Sequence, residues 1–130
     1  MNDLTTRGAA SLSWRGLVSM PGDAAYATAV ETWAKQTDVR PAAVVHCQTA
    51  EDVQAAICMA RERGLPLSVR GGGHDWAGRA LCDGIVIDVS LMRRVILSSD
   101  RRSAIISGGA RVGDVVAATN AHGVAAATAR

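Results

Sequence analysis

Three consecutive glycines, Gly71-Gly72-Gly73, stand between Arg70 and His74, directly after a short apolar run. No other feature of the chain constrains its fold as strongly. Glycine loses the most backbone freedom on ordering, so three in a row do not continue a helix or a strand. The chain must turn here. Without Cβ atoms the turn can take positive φ and let a ligand approach the backbone closely. Successive exposed N–H groups then form a concave anion site. Arg70 adds a fixed positive charge with a planar fork of donors. Together these features suit a diphosphate. His74 closes the loop; from chemistry alone it either hydrogen-bonds the loop or acts on a ligand, and both readings stand.

The segments around the loop read as alternating elements. The first ~20 residues are rich in Ser, Thr, Gly and Arg and read as an arm or loop. Pro21-Gly22-Asp23 is a turn before a helix whose Tyr26, Val30 and Trp33 share one face. Ala42 to His46 reads as a strand after Pro41. Thr49 to Gly64 is the clearest helix. Thr49 and Asp52 have capping-box spacing, Val53, Ala56, Ile57 and Ala60 line one face, and Gly64 with Pro66 ends it. Leu67 to Val69 and Ile85 to Val89 read as strands, the second buried. Val95 to Leu97 and Ala104 to Ser107 read as a strand pair around Ser99-Asp100, before a last helix from Val112 to Ala121. On that helix Val112, Val115, Val116 and Thr119 fall on one side. The order implies an α+β, α/β-like unit with a small mixed or parallel sheet flanked by helices.

A chain of 130 residues is long enough for one domain that folds without disulfides or metal. With no Phe, one Tyr and three Trp, the core must come from Val, Ile, Leu and many Ala. The net charge of +2 and the scattered pairs Arg93-Arg94 and Arg101-Arg102 do not indicate a nucleic-acid partner. Cys47, Cys58 and Cys82 are widely spaced and odd in number, which fits free thiols rather than a disulfide framework or a zinc site. Residues Met1 to Gly22 lack a signal-peptide pattern, and no segment is apolar for a membrane span. The reading is a cytoplasmic protein without a membrane or metal partner.

Known phosphate motifs fit poorly. Gly71 and Gly73 give GxG, but the third position is Trp76, and Asp88 and Asp100 are misplaced for the ribose-binding acid of a dinucleotide fold. No GK[ST] is present. A second cluster, Gly108-Gly109-Ala110-Arg111-Val112-Gly113-Asp114, either brings N–H groups to a ligand or forms a tight strand-to-helix turn.

From Gly16 onward the chain resembles the amino-terminal part of the FAD-binding oxidases of the p-cresol methylhydroxylase and vanillyl-alcohol oxidase type. It is most similar to the berberine-bridge-enzyme-like branch. The likeness is carried by an ordered set: Arg15-Gly16, Pro21-Gly22-Asp23 and Tyr26; Arg40-Pro41-Ala42 with Thr49 and Glu51-Asp52-Val53; Arg70 to His74; Ile87 to Met92; and Gly108-Gly109-Ala110 with Val112 to Val115. The resemblance implies an arm at 1–15 and the first part of a PCMH-type FAD-binding domain at 16–130. It implies that Arg70, Gly71, Gly72, Gly73, His74 and Asp75, with Gly78, hold the FAD diphosphate, with Gly109 also at the cofactor. His74 would be the point of covalent attachment to the flavin's 8α carbon. His46 and His122 match nothing and read as satisfied or surface histidines. Trp76 packs over the loop or covers surface.

Such oxidases continue into a further glycine-rich run, a cysteine that binds the flavin in doubly linked members, and a substrate domain. None of these is in the 130 residues, and no residue is assigned a catalytic role. The expectation is the FAD-binding part of an FAD-linked oxidoreductase, truncated and inactive alone. In the full-length parent, hydride passes from an alcohol, amine or sugar-like small molecule to FAD. A non-catalytic nucleotide-binding or diphosphate-binding module, and a half-domain that needs a partner chain, are the alternatives. An unfinished sheet edge would favour self-association.

Overall fold

The computed structural model describes residues 18–35 and 38–127. The arm expected at 1–15 lies outside them. In chain order the described elements are β1 (Val18–Ser19), α1 (Tyr26–Ala29), β2 (Ala43–His46), α2 (Ala50–Glu62), β3 (Leu67–Arg70), β4 (Ile85–Asp88), β5 (Val95–Leu97), β6 (Ala104–Ile106) and α3 (Val112–Asn120). Four strands form one sheet in the order β1-β2-β4-β3, and β5 and β6 form a separate hairpin. β1 runs antiparallel to β2, whereas β2, β4 and β3 are parallel. The small mixed sheet expected from the sequence is therefore present.

β4 lies between β2 and β3, and all four of its residues are buried. That is why Ile85-Val86-Ile87 is apolar without alternation: a central parallel strand is covered on both faces. On one face Ala43, Val45, Ile85 and Ile87 pack with Cys47 and with Ala56 and Ala60 of α2. On the other, Val44 and Val86 pack with Ala29 and Leu81. Alanines on both sides of the first interface let the helix lie close to the sheet, so a core without Phe still excludes water. Burial of Cys47, with Asp52 and Asp88 nearby, pushes its thiol up to about 11. That thiol stays protonated and is no nucleophile at neutral pH.

α2 begins where its capping box predicts. Thr49 Oγ1 accepts from the Asp52 N–H at 3.2 Å, and Asp52 Oδ2 accepts from the Gln48 and Thr49 N–H groups at 3.0 Å each. These bonds, the one from Gln48 first, hold the Asp52 carboxyl below its ordinary range. Gly64 ends the helix at φ +61°, a left-handed conformation that glycine adopts freely. Ile57, expected on the buried face, is exposed. The small residues Ala56 and Ala60 occupy the line of closest approach, and Ile57 lies beside it.

Two helix expectations need correction. α1 is only four residues long, and Trp33 is not on it. The chain leaves the helix because residues 31–33 bond to the glycine loop: the Glu31 carbonyl accepts from Arg70, and the Trp33 N–H donates to the Gly73 carbonyl at 2.7 Å. α3 buries Val115 and Thr119, but Val112 and Val116 are exposed. α3 lies against the narrow β5–β6 hairpin, which covers one stripe only. Arg93 holds α3 by two hydrogen bonds to the Asp114 carboxylate, at 2.6 and 2.9 Å. The Arg93 bonds, with the Arg111 N–H, lower Asp114 to about 2. β1 was read as part of the arm; its two residues owe their strand conformation to pairing with β2.

A row of polar groups crosses the carboxyl ends of the strands. Register places His46, Asp88 and Arg70 side by side on β2, β4 and β3. Asp88 is 2% exposed. Its carboxylate accepts from Arg70 Nη1 at 3.1 Å and from the Ser90 N–H at 2.8 Å, and lies 3.3 Å from His46 Nδ1. His46 Nε2 in turn is 2.8 Å from Ser19 Oγ. Serine, histidine and aspartate in this order evoke a nucleophilic relay. Ser19 is buried, however, and Asp88 is engaged by Arg70, so the row ties four strands together. His46 is thus a satisfied histidine.

Two outcomes follow from this packing. Asp88→Ala leaves the Arg70 guanidinium, mostly buried, without its counter-charge, and should cost about 3 kcal/mol; a urea midpoint within error of wild type would refute the role. A Cβ on Gly109 would stand 1.7 Å from the Val89 carbonyl oxygen. Gly109→Ala should therefore abolish cooperative unfolding as followed by circular dichroism, because backbone rather than a side chain must move.

Candidate functional site

The glycine loop emerges from the carboxyl end of β3, the edge where parallel sheets commonly bind ligands. Gly73 takes φ +75°, which a residue with a side chain adopts only under strain. The Arg70 guanidinium lies under the turn. A Cβ on Gly73 would be 3.3 Å from Arg70 Nη2 and 3.4 Å from the Glu31 carbonyl oxygen. Arg70 Nε and Nη2 both donate to that carbonyl, at 3.1 and 2.8 Å. With Nη1 on Asp88, the guanidinium is occupied beneath the loop, whereas the sequence had suggested that it faces the ligand. Arg70 shapes the turn from below.

Above it Gly72 and His74 are exposed. Among the described residues, the N–H groups of Gly71, Gly72, Gly73 and His74 have no hydrogen-bond acceptor. Gly72 is exposed, and a Cβ there would meet nothing within 4 Å. These residues, with Val69, Asp75, Arg79 and Ala80, line a cleft of about 320 Å³. Four consecutive unengaged donors at a cleft are the chemistry an oxyanion group needs.

Asp75 shapes the adjoining part of the cleft's wall. Its carboxylate accepts from the Ala80 N–H at 2.7 Å and the Ala77 N–H at 3.1 Å. The Ala80 bond first, with help from Ala77, Gly78 and Arg79, lowers its pKa. Gly78 supplies the left-handed residue of this turn, at φ +69°. Asp75 and Gly78 therefore set the wall's shape. Arg79 stands on that wall, exposed, with no ion-pair partner among the described residues. It is the cation the sequence reading passed over. The available signal was a second arginine on the same loop, beyond Gly78.

The two glycine clusters meet. A Cβ on Gly71 would lie 3.0 Å from the Gly108 carbonyl oxygen. Gly109 itself is buried against Val89, and its N–H donates to the Met92 carbonyl at 3.0 Å. Its close packing places Gly108 beside the loop. His74 lines the cleft, and its ring packs with those of Trp76 and Trp33. The two indole centroids are 3.8 Å apart, and Trp76 Nε1 donates to His74 Nε2 at 3.0 Å. His122 lies away from this loop, where its carbonyl accepts from Arg101 at 3.1 Å. The described residues contain no group of three His, Cys, Asp or Glu side chains that could hold a metal ion, and no helix long and apolar enough to cross a membrane.

Known proteins carry the same architecture. The profile of the FAD binding domain family matches residues 41–129. The FAD-linked oxidoreductase hasG of Aspergillus fumigatus is 41% identical over 113 residues, which is 85% of this chain and 24% of that protein. The (R)-6-hydroxynicotine oxidase of Paenarthrobacter nicotinovorans is 34% identical over 126 residues, 96% of this chain and 28% of that protein. The crystal structure of 6-hydroxy-D-nicotine oxidase from Arthrobacter nicotinovorans superposes with a TM-score of 0.79 at 33% identity, covering 90% of this chain and 26% of that one. The berberine-bridge-enzyme-like protein 1 of Physcomitrella patens gives 0.73 at 29% identity, covering 80% and 23%. The chain thus spans about a quarter of the length of these relatives. Its glycine loop, its sheet order and this match together place it: the chain belongs to the FAD binding domain family, whose members similar to it include FAD-linked oxidoreductases.

Proposed function

We propose that the cleft above Gly71–His74 takes the diphosphate of FAD. The observation that carries this reading is the run of four backbone N–H groups without acceptors, on residues that line a cleft together with Arg79. The donors fix the oxygens in place, and Arg79 supplies charge without a competing partner. Arg70, Asp75, Gly78 and Gly109 hold the loop's shape around the ligand. His74, which lines the cleft, is the attachment point for the flavin's 8α carbon. There the imidazole of His74 would be the nucleophile, and the bound flavin would supply the electrophilic carbon and the electron sink.

Bound FAD supplies hydride acceptance. In the longer protein to which such a segment would belong, the hydride comes from an alcohol, amine or sugar-like substrate. We read this segment by itself as binding cofactor without turnover, because turnover needs walls that orient a substrate and exclude water. The free thiols fit a reducing, cytoplasmic setting.

One observation favours a second reading, in which this half-domain associates through its edge. β3 is an outer strand of the sheet, and its Leu67 and Val69 are 41% and 57% exposed. An apolar edge strand is a pairing surface.

Three measurements test these readings. After expression with FAD and denaturing precipitation, flavin fluorescence should stay with the wild-type chain and vanish in His74→Ala. In equilibrium binding, Gly72→Val should fold normally yet lose FAD, since its side chain enters the cleft. Arg79→Gln should weaken FAD about tenfold, the worth of one charge-assisted hydrogen bond. Unchanged affinity in both variants would remove the diphosphate from this loop. For the edge, light scattering should show association rising with concentration, suppressed by Val69→Lys; a monomer at every concentration would refute it.

A further inference from the structure

At the carboxyl ends of the strands two donors share one oxygen. Arg70 Nη1 lies 3.1 Å and His46 Nδ1 3.3 Å from the same atom, Asp88 Oδ2. The other oxygen, Oδ1, accepts from the Ser90 N–H at 2.8 Å. A charge-assisted bond between nitrogen and a carboxylate settles at about 2.7–2.9 Å when nothing competes for the acceptor. Both distances at Oδ2 exceed that range. The carboxylate stands between β2 and β3 and closes fully on neither donor.

The donor on β2 is itself anchored on β1. A carboxylate only accepts, so the nitrogen facing it, Nδ1, carries the proton in the neutral ring. Nε2 then offers its lone pair, and Ser19 Oγ, 2.8 Å away, donates to it. Ser19 is buried, and it sits on a strand of only two residues that pairs with β2. On the other side of Oδ2 the contacts continue. Arg70 Nε and Nη2 donate to the Glu31 carbonyl at 3.1 and 2.8 Å, and Nη2 lies against Gly73. An unbroken set of contacts thus runs from Ser19 through His46, Asp88 and Arg70 to Gly73, across all four strands of the sheet.

We propose that His46 is a positioning residue for the glycine loop, and that Ser19 acts on the loop through it. His46 holds Oδ2 back from Arg70. The place where the guanidinium rests fixes the Glu31 carbonyl and Gly73 above it. The docking of β1 therefore sets the shape of a loop at the opposite edge of the sheet. β1 is the two-state element: docked, it holds the imidazole against Asp88; undocked, it lets the carboxylate close on Arg70. By linkage, a ligand that prefers one loop shape biases β1 in return. The bearing on FAD rests on the reading of this loop as the diphosphate site.

The coupling is read without flavin, so its failure is separate from failure of the cofactor reading. Proton–nitrogen NMR of the flavin-free chain follows the amides of Gly71 to His74 and the Arg70 Nε–H. In His46→Leu, which removes one of the two donors, these signals should shift. Ser19→Ala, which spares the backbone pairing of β1, should shift them along the same lines by less, and it decides alone if His46→Leu does not fold. His46→Asn, whose amide keeps a donor near the Nδ1 position, should return them toward wild type. Val45→Ala is the control. It removes packing on the same strand but on the other face of the sheet, so the urea midpoint should fall while the loop signals stay in place. With FAD added, affinity should fall about fivefold in His46→Leu, the weight of one ordinary hydrogen bond. Loop signals unmoved in both His46→Leu and Ser19→Ala, or moved as far by Val45→Ala, would overturn the proposal.

Discussion

The buried carboxylate of Asp88 is the interaction on which the rest of the molecule depends. It sits at the end of the central strand, where parallel pairing brings His46 and Arg70 to either side. A carboxylate this buried is tolerated only when its oxygens are well occupied. Arg70, His46 and the Ser90 N–H occupy them. In return the carboxylate orients Arg70, whose remaining donors reach the Glu31 carbonyl and lie under Gly73. The shape of the ligand loop is thus set by a charge on the adjacent strand. Glycine supplies the freedom to bend, and the ion pair selects one bend from many.

This division explains what the amino-acid sequence revealed and what it hid. The capping box at Thr49 and Asp52, the stop at Gly64 and the apolar run at Ile85 are local signals, and each element lies where its residues place it. The glycine triplet was legible for the same reason. Arg70 was legible as a cation but not as an occupied one, because its partners Asp88 and Glu31 are distant in sequence. Asp88 looked misplaced when tested as a ribose ligand, since its partners come from other strands. Arg79 was missed because nothing next to it marks it as unpaired. β1 was missed because its two residues carry no periodicity of their own. Tyr26, Val30 and Trp33 have a helix period, but bonds to the glycine loop claim the backbone at residues 31–33 and override it.

Small side chains give this fold a particular balance. Ala43, Ala56 and Ala60 allow α2 and the sheet to approach closely, but each removes little apolar area from water. Several large residues lie at the margins. Ile105, Val112, Trp33 and Trp76 are all exposed. The firm centre is the sheet with α2, and the surfaces that remain open are the hairpin, one stripe of α3, the β3 edge and the rings at the loop. Two of these reach the cleft above the glycine loop, through His74 of the rings and Val69 of the β3 edge.

The strand order carries one more consequence, for the timing of assembly. β2 and β3 do not touch as paired strands; both pair with β4, which follows them in the chain. Until residues 85–88 leave the ribosome, the earlier strands have no partner between them and Arg70 has no carboxylate. A growing chain can form the α2 helix early, because its cap is local. The sheet must wait for its middle. Once β4 inserts, it joins two strands, buries both faces and delivers the charge that orders the loop in a single event. Cofactor competence in such a chain would then appear abruptly during synthesis, as a by-product of closing the sheet.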